Sequence, residues 1–182
     1  MLYPYFLGFH ALEMLFETLI SARNSRSLLQ KGAIEIAPGL LPVMVFLYAL
    51  MFFGSLAEYL LIARTFSFEW AAGFFILFCL AKLLKFWAIQ SLGKYWTMRV
   101  LIVPQSKVAT AGPYKWIRHP NYIAVLMEIA ATTLLGKSFY TFAVVIVLFS
   151  VTLVFRIRSE ESALRQFTDY GDQMAPKRRF LP

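Results

Sequence analysis

The sequence predicts an all-α, polytopic membrane protein with five transmembrane helices, folded as a single domain over residues 1–182. Of its 182 residues, 59% are apolar or aromatic and only 15% are charged, whereas soluble domains average about 45–50% apolar and about 25% charged residues. Five apolar segments follow one another along the chain, each near the roughly 20 residues that a membrane-spanning helix needs. Disorder, a coiled coil and a disulfide scaffold are excluded by this composition and by the single cysteine.

The five predicted spans are residues 2–20, 39–62, 70–90, 120–135 and 139–155. The first span has no basic segment before it and no small-residue cleavage site. We therefore interpret it as a retained helix rather than as a signal peptide. The first three spans occupy residues 1–90, and the polar and aromatic motifs are concentrated in residues 91–182.

The last two spans should form a helical hairpin. Only residues 136–138 separate them, which leaves room for no other connection. The second helix of the hairpin returns Arg156 to about the depth of His119. We therefore expect Arg118, His119, Arg156 and Glu160 to be neighbours.

The distribution of Lys and Arg predicts the orientation in the membrane. Residues 21–38, residues 91–118 and the tail after residue 155 carry most of the basic side chains, whereas the opposite loops carry only Arg64 and Lys137. Five alternating helices place the three basic segments on one side, which should be cytoplasmic, with the N-terminus outside. The net charge of +8 is therefore interpreted as the mark of this cytoplasmic side, and no nucleic-acid partner is predicted.

The densest group of polar and aromatic residues is the segment 112–122, between the third and fourth spans. Basic side chains and the backbone amides of a helix start could bind an anion here. The aromatic side chains could hold a flat ligand, or they could form a belt at the membrane interface, and composition leaves both interpretations open. The basic residues are Lys115 and Arg118, and the aromatic residues are Tyr114, Trp116 and Tyr122.

Ionisable residues also occur within or beside the predicted spans. Arg156 and Glu160 are four residues apart and share a helix face, whereas Glu161 fits a surface ion pair with Arg165. Such groups usually face a helix bundle or a cavity when they lie inside a span. His10, Glu13 and Glu17 share a face of the first span, but no HExxH or CxxC motif accompanies them, so no metal site is predicted. Near the end of the third span, Lys82 and Lys85 can extend towards the cytoplasmic surface.

Several short motifs, taken in order, resemble the isoprenylcysteine carboxyl methyltransferase family. They are Leu92-Gly93-x-x-Trp96, Gly112-Pro113-Tyr114, Arg118-His119-Pro120-Asn121-Tyr122 and Glu160-Glu161-x-x-Leu164. The resemblance covers residues 90–182, and the ordered set is more specific than any one motif. This family contains integral-membrane methyltransferases that depend on S-adenosyl-L-methionine.

The resemblance implies a cytoplasmic loop and C-terminal tail that bind S-adenosyl-L-methionine. The family's cofactor contacts fall on Ser106, Lys107, Val108, Ala109, Tyr114, His119, Pro120, Asn121, Tyr122 and Glu160. Its substrate-side arginine falls on Arg156, which is the expected catalytic residue. Arg118 is expected to help Arg156 to bind the substrate.

The N-terminal half is similar to a small bacterial branch of this family. The motifs are Glu17-x-x-x-Ser21-x-Arg23-Asn24 and Gly32-Ala33-Ile34-Glu35. Members of that branch are often linked with type III polyketide synthases. Because the branch is bacterial and the family is integral to membranes, the resemblance implies a protein of the cell inner membrane.

The implied reaction is methyl transfer to an anionic oxygen of a lipophilic or prenylated substrate. That oxygen would be a carboxylate, as in isoprenylcysteine, or an acidic enol, as in an alkylpyrone. A sterol-reductase-like membrane oxidoreductase that uses a nicotinamide cofactor and a non-catalytic membrane subunit are the alternatives.

Overall fold

The computed structural model describes residues 2–174 and 176–180, and most of them are helical. Every predicted span lies in a helix, except for the end residues at positions 2, 39 and 62. The elements in chain order are α1 (Tyr3–Gln30), β1 (Ile34–Ile36), α2 (Leu40–Leu61), α3 (Phe68–Leu92), β2 (Val100–Ile102), α4 (Pro120–Leu135), α5 (Phe139–Phe167) and α6 (Tyr170–Met174).

Among the described residues, three helical segments are long and apolar enough to cross a membrane, namely Leu40–Leu61, Phe68–Tyr95, which is α3 with the 3-10 turn that follows it, and Phe139–Phe167. The helix α4 is apolar but has only 16 residues, and α1 carries charged side chains among its apolar ones. The predicted count of five spans is therefore not confirmed by length and composition. Both α1 and α4 instead bury polar groups against neighbouring helices.

Two helices extend further than the sequence pattern predicts. The helix α1 continues to Gln30 rather than ending at residue 20, and α5 continues to Phe167 rather than ending at residue 155. In the extension of α1, Ser21, Ser25 and Leu28 are buried at helical spacing. Packing of this face stabilises a helical segment whose polar composition indicates a loop.

The two short strands depart from the all-α prediction. They pair antiparallel, with Glu35 opposite Leu101. An ion pair reinforces the connection, because Arg99 Nε donates to Glu35 Oε1 at 2.7 Å. The sheet thereby joins the α1–α2 connection to the loop after α3. Strands of three residues are too short to give a periodic sequence signal.

The hairpin of α4 and α5 packs against α2 through an apolar core. The core residues are Met44, Leu47 and Met51 of α2, Val125 and Ile129 of α4, and Val145 and Phe149 of α5. The start of α1 contacts the hairpin turn at Gly136, where an added Cβ would lie 2.2 Å from Tyr3 Cζ. The Tyr3 hydroxyl donates to the Thr132 carbonyl oxygen at 2.8 Å. The predicted hairpin is confirmed, and the start of α1 packs against its turn.

The loop between α3 and α4 is held against α3 by a glycine turn. Gly112 has φ of +57°, and a Cβ there would lie 2.0 Å from Ser91 Oγ. Only glycine fits this conformation and this close approach. The turn begins a short 3-10 helix, Gly112–Lys115, which buries Tyr114 beside Tyr170 and Met174 of α6.

The C-terminal tail lies alongside the start of α4. The backbone N–H of Arg118 donates to the Arg178 carbonyl at 3.0 Å, and that of His119 donates to the Arg179 carbonyl at 3.1 Å. Loop, tail and the ends of α4 and α5 therefore meet at one end of the helix bundle.

Candidate active site

Three side chains from the hairpin form the centre of the site. Arg156 Nε donates to the Tyr122 hydroxyl at 2.9 Å, and that hydroxyl donates to Glu160 Oε2. Tyr122 on α4 thus bridges two residues that share a face of α5. The predicted proximity of the two hairpin arms is confirmed here.

Further contacts fix the Arg156 guanidinium inside the protein. Its Nη2 donates to the Met98 carbonyl at 2.6 Å, and its Nη1 lies 3.4 Å from the Met44 sulfur. The Met98 N–H in turn donates to Ser21 Oγ at 2.8 Å. Arg156 is only 5% exposed, so it does not extend to lipid headgroups. Its guanidinium is oriented before any ligand binds.

A continuous cavity of about 860 Å³ surrounds this centre. Its volume lies within the range of small-molecule sites, about 300–1,000 Å³. Nearly all of the predicted cofactor positions line it: Ser106, Lys107, Val108, Ala109, Tyr114, His119, Asn121, Tyr122 and Glu160. Pro120, the remaining position, is buried in the first turn of α4. The structure therefore brings residues from distant parts of the sequence to one surface.

The same cavity continues between α1 and α2, where its walls become apolar. The lining residues there are Ala11, Met14, Leu15, Val45, Ala49 and Phe52. Arg156 contacts Met44 on α2 and Met98 in the loop. It therefore lies where the polar and the apolar parts of the cavity meet. A ligand with a charged end and a hydrocarbon chain matches this division.

The polar part of the cavity is lined by residues that carry oxygen acceptors. Among the residues that the structure describes, Asn121 Oδ1 is buried without a hydrogen bond, and Glu160 accepts one from the Tyr122 hydroxyl through Oε2. Burial raises the pKa of the Tyr114 phenol well above its usual value, so this side chain stays neutral. These groups fit a ligand that carries amine and hydroxyl donors, which S-adenosyl-L-methionine does.

Glu161 has a different role from the surface ion pair expected for it. The side chain is buried, with Oε1 lying 3.1 Å from His119 Nε2 and Oε2 lying 2.8 Å from Arg179 Nη2. Arg165 is mostly exposed and lies at 3.9 Å. The expected pair with Arg165 is therefore present, but the shorter contacts of Glu161 join the tail to the start of α4.

Arg118 takes part in the same tail contact. Its Nε donates to the Lys177 carbonyl at 2.7 Å, and its Nη1 lies 3.5 Å from Glu161 Oε1. The residue also lines the cavity. Arg118 thus supports the tail and borders the site, whereas Arg156 lies at its centre.

A second polar group lies between α1, α3 and α4. Lys82 Nζ is 2.7 Å from both Glu13 Oε2 and Glu128 Oε1. Lys85 Nζ is 2.6 Å from Glu17 Oε2 and 3.0 Å from Glu128 Oε2. We call these five residues the buried ion network. The expectation that the two lysines extend to the surface is wrong, because three carboxylates bind them inside the bundle.

Sequence reasoning identified the acidic face of α1 but missed its partners. Ion pairs between three helices leave no local sequence motif. The four-residue spacing of Glu13 and Glu17 and the three-residue spacing of Lys82 and Lys85 did, however, indicate one acidic and one basic helix face that could pair. Beside the network, Thr132 Oγ1 lies 3.1 Å from His10 Nδ1. The polar face of α1 is thus covered by α3 and α4.

Comparisons with known proteins agree with the motifs. The model of the isoprenylcysteine carboxyl methyltransferase family matches residues 74–166. The uncharacterized protein YpbQ of Bacillus subtilis is 32% identical over 152 residues, covering 84% of this chain and 90% of that protein. An uncharacterized protein of Haemophilus influenzae is 29% identical over 147 residues, covering 80% and 84%. The family match spans half of the chain, from α3 to the end of α5, and the chain therefore belongs to the isoprenylcysteine carboxyl methyltransferase family.

Proposed function

We propose that the protein is an integral-membrane O-methyltransferase that depends on S-adenosyl-L-methionine and acts on a lipophilic substrate. One observation carries the proposal. A single cavity connects the polar positions at which the family binds its cofactor to an apolar passage between α1 and α2, and Arg156 lies at the junction. A methyl donor and a lipid that enter from opposite ends would meet beside this arginine.

The cofactor would occupy the polar part of the cavity. Bound there, S-adenosyl-L-methionine supplies a methyl group on a positively charged sulfur. Glu160 and Asn121, which line the cavity, would supply oxygen acceptors for its ammonium and ribose hydroxyl groups. The aromatic rings of Tyr114 and Tyr122 provide surfaces for its adenine or its sulfonium.

Arg156 would hold the acceptor oxygen of the substrate. Arginine keeps its proton at any physiological pH, so it can stabilise an oxyanion but cannot deprotonate a substrate. Fixing an anion in line with a methyl donor supplies about 7–11 kcal/mol of the barrier reduction. The contacts to Tyr122 and Met98 orient the guanidinium for this task.

The hydrogen bonding of the two candidate bases, His119 and Glu161, favours an acceptor that is already ionised. His119 Nε2 and Glu161 Oε1 are hydrogen-bonded to each other at 3.1 Å, and Glu161 also binds the tail. A carboxylate, as in isoprenylcysteine, or an acidic enol, as in an alkylpyrone, needs no base at neutral pH. A simple phenol would need one. We therefore propose that the methyl acceptor is the oxygen of an acidic group, either a carboxylate or an acidic enol.

The proposed topology has five spans in the cell inner membrane. The N-terminus lies outside the cell, and the site faces the cytoplasm. It rests on the basic loops, of which the tail is the most charged. Single-cysteine labelling in a Cys79→Ser background tests it. A cysteine at Thr168 should react only after the cytoplasmic side is opened, and one at Thr65 should react in intact cells; the reverse pattern contradicts the topology.

Cofactor binding separates this function from the alternatives. Isothermal titration of the purified protein in detergent with S-adenosyl-L-methionine and with NADPH should give binding of the former alone. Binding of NADPH alone would support a sterol-reductase-like oxidoreductase. Binding of neither would support a non-catalytic membrane subunit.

A further inference from the structure

A second polar surface lines the cavity beyond Arg156. The buried ion network reaches the cavity wall through Glu17 and Lys85, and Tyr48 of α2 lines the cavity at the same place. The surrounding residues of α1 and α2 are mostly apolar. Polar groups here are not needed to hold a hydrocarbon chain, and nothing in the methyl-transfer chemistry uses them.

Two hydrogen-bond donors on this surface are incompletely used. The Lys85 ammonium has three N–H groups but only two close carboxylates, Glu17 at 2.6 Å and Glu128 at 3.0 Å. Among the described residues, the Tyr48 hydroxyl makes no hydrogen bond, and the charges of Lys85, Glu128, Glu17 and Arg156 lie near it. Its ring is fixed against Phe149, with the ring centroids 5.4 Å apart. Both donors can therefore serve a ligand in the cavity.

The charge balance of the network defines the kind of ligand group. Its two lysines and three glutamates carry a formal charge of −1 when all are ionised. A second anion would be repelled by this net charge, and a cation would be repelled by the Lys85 ammonium, with which the Glu17 and Glu128 carboxylates are already paired. An uncharged oxygen, such as that of a carbonyl or a hydroxyl, can accept a hydrogen bond from each donor without either charge repulsion.

The position of Tyr48 defines where that oxygen lies. Tyr48 follows Met44 by four residues on α2, which is about 6 Å along the helix axis, and Met44 contacts the Arg156 guanidinium. The second oxygen would thus lie about one helical turn further into the cavity than the oxygen at Arg156. One oxygen-bearing ring or a short acyl segment spans this separation.

We infer that Tyr48 and Lys85 form a second substrate subsite, which recognises an uncharged carbonyl or hydroxyl oxygen about one helical turn away from the methylated oxygen. The inference rests on the proposed function, since it takes Arg156 as the site of the acceptor oxygen. It narrows the substrate to lipids with two separate oxygen functions at their polar end, followed by a hydrocarbon chain.

The test compares two lipids of equal chain length. A long-chain 4-hydroxy-2-pyrone has a ring carbonyl in addition to its acidic enol, whereas a fatty acid has a carboxylate alone. Binding of tritiated forms to the purified protein is measured by scintillation proximity, without any methyl donor. Tyr48→Phe, which removes one hydroxyl, should raise Kd for the pyrone about three- to tenfold and leave Kd for the fatty acid unchanged. Tyr59→Phe on the same helix, which packs on Tyr3 away from the cavity, is the matched control.

Each outcome bears on the subsite separately from the reaction. A selective loss of pyrone binding supports the subsite even if no methyl transfer is found, in which case the proposed function alone fails. Equal effects on both lipids, no effect on either, or no binding of either lipid to the unmodified protein overturns the subsite. Methyl transfer by the same preparation would then leave the proposed function standing.

Discussion

The two polar groups of this bundle, the buried ion network and the Arg156–Tyr122–Glu160 centre, differ in how their charges are balanced. In the network, each lysine contacts at least two carboxylates, and Glu128 is completely buried. In the centre, Arg156 and Glu160 do not touch each other directly but share the Tyr122 hydroxyl beside a cavity. Direct contacts between opposite charges join the helices in the network, whereas the charges of the centre are bridged by a hydroxyl beside the cavity, where a ligand can reach them.

The largest effect should follow from breaking the network. Glu128→Leu removes the carboxylate that contacts both Lys82 and Lys85, which leaves buried ammonium groups without their central partner. Such changes cost about 3–5 kcal/mol, enough to unfold many domains. We expect a much lower midpoint of thermal unfolding in detergent, together with loss of the monodisperse peak in gel filtration.

An exposed carboxylate provides the control for this comparison. Glu69 lies in the exposed first turn of α3, so Glu69→Gln should leave the unfolding midpoint nearly unchanged. A Glu128→Leu protein as stable as the unmodified one would mean that the network does not hold α1, α3 and α4 together.

A smaller and more specific effect is expected at Arg156. Arg156→Ala should lower kcat/KM for methyl transfer about ten- to a hundredfold, because a charge-assisted contact is worth about 1.5–3 kcal/mol. The affinity for S-adenosyl-L-methionine should be nearly intact. Arg156→Lys keeps the charge but loses the planar fork, so it should rescue only part of the activity.

Calorimetry on the Arg156→Ala protein decides its place in the cavity. Loss of cofactor affinity in a protein that remains folded would assign Arg156 to the cofactor end. Unchanged activity would mean that the substrate's anionic oxygen lies elsewhere.

The smallest effect distinguishes two adjacent carboxylates. Glu160→Gln should weaken S-adenosyl-L-methionine binding about tenfold, since it removes the negative charge that faces the cavity. Glu161→Gln should weaken it less and should instead lower thermal stability, because Glu161 holds His119 and Arg179. Equal losses of affinity, measured by calorimetry, would show that both carboxylates act through the cofactor.

The helices were predictable from sequence to the extent that their own composition determines them. The central parts of α2, α3 and α4 were predictable from their apolar runs, and the hairpin was predictable from the tight Gly136–Ser138 connection. The ends of α1 and α5 were not predictable, because tertiary packing at Ser21 and Ser25 and along α5 outweighs local polarity. The β1–β2 pair was not predictable for the same reason, since its strands are stabilised by pairing with each other rather than by their own sequences.

The candidate site shows the same limit. The family motifs identified the residues that line the polar end of the cavity, and hairpin geometry placed Arg156 near Tyr122. Met98 could not be identified, because it contributes a backbone carbonyl, which carries no side-chain signal. Nor could Lys85 and Tyr48 be assigned to the cavity, because their positions depend on how α1, α2 and α3 pack.

The most direct test of the central claim is transfer of a labelled methyl group. Purified protein in detergent is incubated with S-adenosyl-L-[methyl-³H]methionine and either farnesylcysteine or a long-chain 4-hydroxy-2-pyrone, and the organic extract is counted. We expect a labelled methyl ester or methyl ether with at least one acceptor, and strongly reduced labelling with Arg156→Ala. No labelled lipid from a folded protein that binds the methyl donor would contradict the claim that this cavity joins the cofactor to an acidic lipid oxygen.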